Sequence, residues 1–263
     1  VRLFNKVGEG AHQSIPFYAE WRAKHNLPKR ISSIKELENF PALTKTVINS
    51  NRELVFKNAS VDSAVSTGGT TGEPTLFPSA KSDFDTIYAD AYLGRGWWGL
   101  KPLDRIISLW GHSHLFGSGW RGELKEFSRK LKDSLISTRR LNAYDMTPQT
   151  IEKYYGLIKT SNPKALIGYT SCLFKLARFM VDQKLDGSLS KHLKVVIPTA
   201  ETVSQSDVSI MEKAFKVPIV IEYGMAETGA IAYSDRKTDN IRVFWDSFFC
   251  RCDENKTLHV STL

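Results

Sequence analysis

The sequence predicts an α/β fold: a mostly parallel sheet with flanking helices, ending in short antiparallel strands. Three observations carry this. From about residue 104, apolar runs of strand length alternate with segments of helical period, the pattern of strands paired in parallel through right-handed crossovers. After Gly229 the helical period stops and only short strand-like runs remain. The chain has 263 residues, of which 41% are apolar and 24% charged. That is enough to bury a full core and excludes disorder over most of the length.

The elements follow in order. Residues 1 to 60 read as short helices and loop, broken by Pro16, Pro28 and Pro41. Ser33 and Glu36 have capping-box spacing, so a short helix starts there. Val61 to Ser66 reads as a strand, and Phe84, Ile87, Tyr88, Ala91 and Tyr92 recur at helical spacing. Arg105 to Trp110, Leu135 to Thr138, Ala165 to Ile167, Leu193 to Ile197 and Pro218 to Ile221 are the strand candidates of the sheet. Thr147-Pro148 opens one intervening helix, Ser171 to Val181 forms another, and Ser204 with Asp207 caps a third running to Phe215. Ile231 to Tyr233, Ile241 to Trp245, Phe248 to Cys250 and Leu258 to Ser261 are the antiparallel candidates. The division expected is a helical segment 1–60, an α/β core 61–229 and the start of a β-rich subdomain 230–263.

The formal charge is +8. Its densest patches, Lys29-Arg30, Arg129 to Lys132 and Arg139-Arg140, are dispersed, which reads as solvated faces and not as a nucleic-acid footprint. Three cysteines, Cys172, Cys250 and Cys252, do not make a secreted disulfide framework. No stretch approaches the roughly 20 apolar residues that span a bilayer, and no signal peptide is visible. The expectation is a cytoplasmic protein with neither nucleic acid nor membrane as partner. Val1 in place of an initiator Met, and Leu263 within a strand pattern, are read as the cut ends of a longer chain.

Three segments can carry chemistry. The run Ser66-Thr67-Gly68-Gly69-Thr70-Thr71-Gly72-Glu73-Pro74 is too polar and glycine-rich for a core element. Its glycines let successive N–H groups converge on an anion, with hydroxyls beside them. It lacks the Gly-Lys-Ser/Thr of a Walker loop. The segment Glu222-Tyr223-Gly224-Met225-Ala226-Glu227-Thr228-Gly229 follows a strand directly, the position where open α/β sheets bind ligands. Tyr223 offers a flat face for a base and Glu227 a hard oxygen for Mg²⁺. Pro198-Thr199-Ala200-Glu201-Thr202 also follows a strand.

In order and rough spacing these three segments resemble the adenylate-forming superfamily of acyl-CoA synthetases, luciferases and peptide-synthetase adenylation domains. Thr75 after the proline, Phe40-Pro41-Ala42-Leu43-Thr44-Lys45 and Arg95-Gly96-Trp97-Trp98-Gly99-Leu100-Lys101-Pro102 resemble the branch of phenylacetate–coenzyme A ligase and its capsular-polysaccharide-biosynthesis relatives. The resemblance implies the large N-terminal domain of such an enzyme, ATP and Mg²⁺ as cofactors, coenzyme A as acceptor, and a small-molecule or sugar-linked carboxylate as substrate. It implies that Ser66, Thr67, Gly68, Gly69, Thr70, Thr71 and Gly72 hold the β- and γ-phosphates. Ala200 and Glu201 would line the adenine pocket, with Glu222, Tyr223 and Gly224 at the base. Glu227 would bind the metal, and Thr70, Thr71 and Glu227 would act in catalysis. Trp110, His112 and His114 would stand at the acyl pocket. The family often has a hydroxyl just before the metal-binding Glu, where this chain has Ala226. The ribose-binding aspartate, the hinge and the small domain with its catalytic lysine would lie beyond Leu263, so residues 1–263 alone are expected to be inactive.

Other readings stay open at this point. A nucleotide-binding protein without catalysis would fit Ala226. Gly117-Ser118-Gly119-Trp120-Arg121-Gly122, with Arg139 and Arg140 for a 2′-phosphate, would fit an NADP-dependent oxidoreductase. Cys250-x-Cys252 with His259, or His112-x-His114, would suggest zinc. No G-x-S-x-G elbow supports a serine hydrolase.

Overall fold

A computed structural model describes residues 1–59, 61–67, 74–111, 137–189, 191–236, 238 and 240–263. The N-terminal helices are α1 (Arg2–Ser14), α2 (Pro16–Lys24), a 3-10 helix (Ile34–Asn39), α3 (Lys45–Ser50) and α4 (Arg52–Phe56). Then follow β1 (Ser63–Ser66), β2 (Leu76–Ser79), α5 (Lys81–Trp97), β3 (Ile106–Trp110) and β4 (Thr138–Asn142). The alternating part continues with α6 (Pro148–Ser161), β5 (Ala165–Tyr169), α7 (Thr170–Asp182), β6 (Val195–Thr199) and α8 (Gln205–Phe215). The chain ends with β7 (Glu222–Met225), β8 (Gly229–Ser234), β9 (Ile241–Val243), β10 (Phe248–Cys252) and β11 (Leu258–Thr262). It forms two compact units. One comprises Val1–Asp90, Met225–Ile231 and Val243–Leu263; the other comprises Ala91–Gly224 and Ala232–Arg242.

The second unit holds the parallel sheet, in the order β4-β3-β5-β6. Register is set by Ile106 opposite Thr138 and Ala165, and by Ala165 opposite Val195. β3, β5 and β6 fall on apolar runs the sequence marks, and β5 and β6 are buried along nearly their whole length, as central parallel strands require. β4 is displaced from expectation: it runs Thr138–Asn142, sharing only Thr138 with the marked run Leu135 to Thr138, and its Arg139 and Arg140 are exposed because it is an edge strand. Ile107, Leu109, Leu166 and Val196 from the sheet pack with Leu173, Leu176, Met180, Met211 and Phe215 from α7 and α8, all essentially inaccessible to water. Each such side chain contributes about 1.5–3 kcal/mol when buried. At Gly168 the strands come too close for a side chain: a Cβ there would lie 2.5 Å from the Leu109 carbonyl oxygen.

The helix starts are as the sequence predicts. Thr147 Oγ1 accepts from Thr150 N at 3.3 Å with Pro148 at the first turn. Ser204 and Asp207 cap reciprocally, Asp207 N donating to Ser204 Oγ at 3.1 Å and Ser204 N to Asp207 Oδ2 at 2.9 Å. These bonds hold the Asp207 carboxyl below its ordinary pKa, the Ser204 side chain first among them.

One strand departs from expectation. Residues 218–220 lie beside β6 through Val196 N to Pro218 O at 3.0 Å and Val220 N to Val196 O at 2.8 Å, but make only a single bridge, Val196 with Ile219. Pro218 has no N–H to extend the ladder. Regular strand starts at Glu222, so Glu222, Tyr223 and Gly224 lie within β7, not in a turn after a strand.

In the first unit, Phe17, Ile48 and Val55 form a small core from α2, α3 and α4. The buried Asn5 side chain of α1 makes two 2.9 Å bonds with the Ile31 backbone, one to each group. Glu36 caps the 3-10 helix by accepting from Ser33 N at 2.9 Å. The pairs β1–β2 and β10–β11 are antiparallel. Among the described residues no helix is long and apolar enough to cross a membrane.

Candidate functional site

In the first unit, β1 and β2 form a hairpin stem whose last pair is Ser66 with Leu76. One step beyond, Thr67 N donates to Thr75 O at 3.1 Å and Thr75 N donates to Thr67 Oγ1 at 3.0 Å. This two-way closure fixes the ends of the glycine-threonine run. Thr67 is 8% exposed and Thr75 fully buried; Ser66 Oγ donates to Thr67 O at 3.1 Å. Gly68, Gly69, Thr70, Thr71 and Gly72 lie outside the described residues. The Thr75 Oγ1 hydroxyl has no partner among the described residues. A buried hydroxyl without a partner costs about 1–3 kcal/mol, so a group able to accept a hydrogen bond beside this stem would be stabilised.

In the same unit, Glu227 occupies the turn from Ala226 to Thr228 that follows β7. The turn is held by Thr228 N donating to Met225 O at 3.3 Å. Glu227 is half-buried, and its carboxylate has no hydrogen bond or ion pair among the described residues. An uncommitted carboxylate of this kind suits a hard divalent cation. Ala226 is exposed and brings no hydroxyl.

The second unit gathers its candidates at the carboxyl ends of the parallel strands. Trp110 ends β3 and Tyr169 ends β5; their rings stack at 4.8 Å and 15°. Tyr169 Oη donates to Gly111 O at 3.1 Å. Burial, then the neighbouring Tyr144 and Glu201, push the Tyr169 pKa above its ordinary value, so the phenol stays a donor. Thr199, opposite Tyr169, ends β6 and is buried. The chain then turns sharply at Ala200, which has φ 65°, a left-handed conformation uncommon outside glycine. Glu201 follows, exposed. Its carboxylate accepts from Ser171 N at 2.7 Å and from Ser171 Oγ at 3.0 Å. The N-cap of α7 is Tyr169, which offers no side-chain cap, so Glu201 supplies the anion this helix start lacks.

On β7, the Glu222 carboxylate accepts the hydroxyl of the fully buried Tyr233 and lies 3.8 Å from Arg95 Nη2. Tyr223 and Gly224 follow it, half-buried.

No family model matches the chain. Protein CapK of Staphylococcus aureus is 24% identical over 236 residues, which is 86% of this chain and 49% of that protein. The chain thus spans about half the length of the curated relative it matches. 2-Hydroxyisobutyryl-CoA ligase, solved in an open conformation with 2-HIB-AMP and CoA, matches with TM-score 0.73 at 18% identity over 96% of this chain and 60% of that one. Its thioesterification state matches with TM-score 0.74, covering 55% of the ligase. ATP-bound MatB from Rhodopseudomonas palustris matches with TM-score 0.52 at 12% identity over 78% of this chain and 41% of that one. At these identities the likeness speaks for the fold.

The fold is that of the large domain of adenylate-forming ligases.

Within this fold, several residues meet the candidate side chains without having been marked as site residues by sequence reasoning. Tyr169 could have been found by the rule that placed Trp110, since both end strands of one sheet. Ser171, Arg95 and Tyr233 carry no local signal, because their partners are remote in sequence. His112 and His114 lie outside the described residues, as does Gly117 to Gly122. Arg139 and Arg140 lie on the edge strand β4.

The zinc reading fails at Cys250 and Cys252. In the β10–β11 ladder Arg251 pairs with His259, and paired residues share a face. Cys250 and Cys252, one position either side of Arg251, face the opposite way. His259 Nε2 is 3.1 Å from Asp253 Oδ2 instead, a contact that holds the Asp253 carboxyl below its ordinary pKa. No group of three His, Cys, Asp or Glu able to hold a metal occurs among the described residues.

Proposed function

We propose that the protein, at its full length, activates a carboxylic acid with ATP and passes the acyl group to a thiol, coenzyme A, as an AMP-forming acid–thiol ligase of the phenylacetate–coenzyme A ligase and capsular-polysaccharide type. The observation that carries the reading is the glycine-threonine run held on a closed hairpin stem, Thr67 bonded both ways to Thr75. The 2-hydroxyisobutyryl-CoA ligase structures, which hold an acyl-AMP and CoA, support it, as does the likeness to CapK.

The substrate carboxylate oxygen attacks the α-phosphorus of ATP, the bond to the bridging oxygen breaks and pyrophosphate leaves. The thiol sulfur then attacks the acyl carbon, forming the thioester and releasing AMP. Thr67, Thr70 and Thr71 hydroxyls, Ser66 once its hydroxyl turns from Thr67 O, and the Gly68, Gly69 and Gly72 backbone N–H groups donate hydrogen bonds to the β- and γ-phosphate oxygens, stabilising charge on the leaving pyrophosphate. Glu227 would hold Mg²⁺, which would supply charge neutralisation at the triphosphate. Ala200, Glu201, Tyr223 and Gly224 bound the adenine, Tyr223 giving its ring face, and Glu222 borders it through its backbone. Trp110, stacked on Tyr169, forms an apolar wall for the acyl group, with His112 and His114 next in the chain. A cytoplasmic location suits these substrates.

Ala226 favours a second reading, a nucleotide-binding protein without catalysis, since the position offers a methyl where a hydroxyl would meet the α-phosphate. ATP–pyrophosphate exchange by the full-length protein over a panel of carboxylic acids separates the two. Exchange is expected, with Glu227→Gln lowering it roughly 10²-fold and raising the Mg²⁺ requirement. Wild-type exchange and Mg²⁺ dependence in Glu227→Gln would make Glu227 a turn residue. ATP binding without exchange for any acid would establish the second reading.

A further inference from the structure

The segment Arg95-Gly96-Trp97-Trp98 has no part in the proposed chemistry, yet the side chains of Arg95, Trp97 and Trp98 each engage the strands around Tyr223. Arg95 Nη2 is 3.8 Å from Glu222 Oε2, and Tyr233 Oη donates to the same carboxylate. Trp98 Nε1 donates to Ser234 O at 3.0 Å. Ser234 in turn holds the residue before Glu222 twice: Ile221 N donates to Ser234 Oγ at 2.9 Å and Ser234 N to Ile221 O at 2.9 Å. The Arg242 guanidinium lies over the Trp97 ring at 5.1 Å and pairs with Asp235 at 3.0 Å. All these residues belong to one compact unit.

The cluster is built, not incidental. The side chains of Arg95 and Glu222 are only 20% and 13% exposed, and Tyr233 is fully buried. Its ring occupies the space a side chain at residue 94 would need: a Cβ on Gly94 would lie 2.2 Å from Tyr233 Cδ2. Burial, then the Glu222 charge, raise the Tyr233 pKa well above its ordinary value, so the phenol remains a donor. Burial works against the Arg95 charge, but Tyr233 and Glu222 outweigh it and the guanidinium stays charged.

We infer that Arg95, Tyr233 and Trp98 are positioning residues for nucleotide recognition, clamping Glu222 and Ile221 so that β7 presents Tyr223 to the base. The argument is one of strand geometry. Successive side chains alternate between the two faces of a strand. A carboxylate anchored by Arg95 and Tyr233 on one face therefore fixes the rotation of β7, and with it the face on which Tyr223 stands. Removing one partner of a half-buried charge pair leaves the other seeking water, and the strand is the part that moves. The proposal rests on the ATP reading above.

The test compares two probes. Mg-ATP needs the base site; Mg-pyrophosphate needs only the phosphate run. In the full-length protein, Arg95→Met and Tyr233→Phe are expected to weaken Mg-ATP binding about tenfold and leave Mg-pyrophosphate binding within twofold, the pattern of a lost positioning contact and not of a damaged protein. Arg95→Lys should recover most of the loss. Trp98→Phe, which keeps an aromatic ring and removes the donor, should act in the same direction. Tyr233→Phe deletes a single oxygen, so it carries the test if Arg95→Met does not fold. Unchanged Mg-ATP affinity in Tyr233→Phe, or equal losses for both probes alongside a lowered melting temperature, overturns the clamp while ATP binding by the wild type stands. A wild-type protein that binds no Mg-ATP overturns the ATP reading and the clamp with it.

Discussion

Replacing Glu201 by Ala tests what its carboxylate does in this fold. In the structure it accepts two bonds from Ser171, at 2.7 Å from the backbone N–H and 3.0 Å from the hydroxyl. The helix it serves, α7, has no side-chain cap of its own. Loss of a capping acceptor costs typically ~1 kcal/mol, and loss of an anion at a helix N-terminus about 0.3–1 kcal/mol more. Glu201 is exposed, which places the second contribution at its low end; the total is about 1–1.5 kcal/mol. Urea unfolding should show this as a lower midpoint with an unchanged slope, and amide exchange in the first turn of α7 should quicken. Glu201→Gln keeps an acceptor and loses the charge, so its cost should fall between zero and that of Ala. Ser171→Ala removes only the exposed hydroxyl bond and should cost a few tenths of a kcal/mol. An unchanged midpoint in Glu201→Ala would refute the capping argument. If Mg-ATP affinity fell at the same time, the carboxylate would be serving the nucleotide alone.

Two further outcomes follow from the packing. Gly168→Ala forces a Cβ to within 2.5 Å of the Leu109 carbonyl oxygen and 2.7 Å of Leu109 Cβ. That obstacle is backbone in the middle of the parallel sheet, so the variant should lose about 1–3 kcal/mol or more, read as a lowered melting temperature. Asp90 is buried, and burial raises its pKa above the ordinary value, with Asp246 adding to this and a Ser247 hydrogen bond opposing it. The folded state then binds the proton more tightly than the unfolded state. Its contribution is most favourable below the ordinary aspartate pKa of about 4 and is lost as pH rises through the raised value. Asp90→Asn should therefore be more stable than wild type at pH 7, the gap closing below about pH 4; a gap that widens on acidification would contradict the sign.

What the sequence determined by itself is what depends on neighbours a few residues away. The caps at Ser33, Thr147 and Ser204 close through groups three positions on, and all three are visible as spacing. The alternation of apolar runs with helical segments is equally local, and it was enough to predict a parallel sheet. The glycine-threonine run is legible because its composition suits no core element. Tertiary structure alone decided the rest. Pro218 reads as part of a strand, yet a missing N–H leaves only one bridge beside β6. Cys250, Cys252 and His259 left zinc open beside plain packing of the thiols until the register put the thiols and the imidazole on opposite faces. Glu201 meets Ser171 across 30 residues and Trp98 meets Ser234 across 136. Glu222 finds Arg95 and Tyr233 only because α5 and β8 both pass it. A carboxylate carries the same chemistry whether it caps a helix, anchors a strand or, like Glu227, meets no partner among the described residues. Which of these it does depends on the groups that strand order and register bring within hydrogen-bond distance, and chain-local pattern holds no record of that.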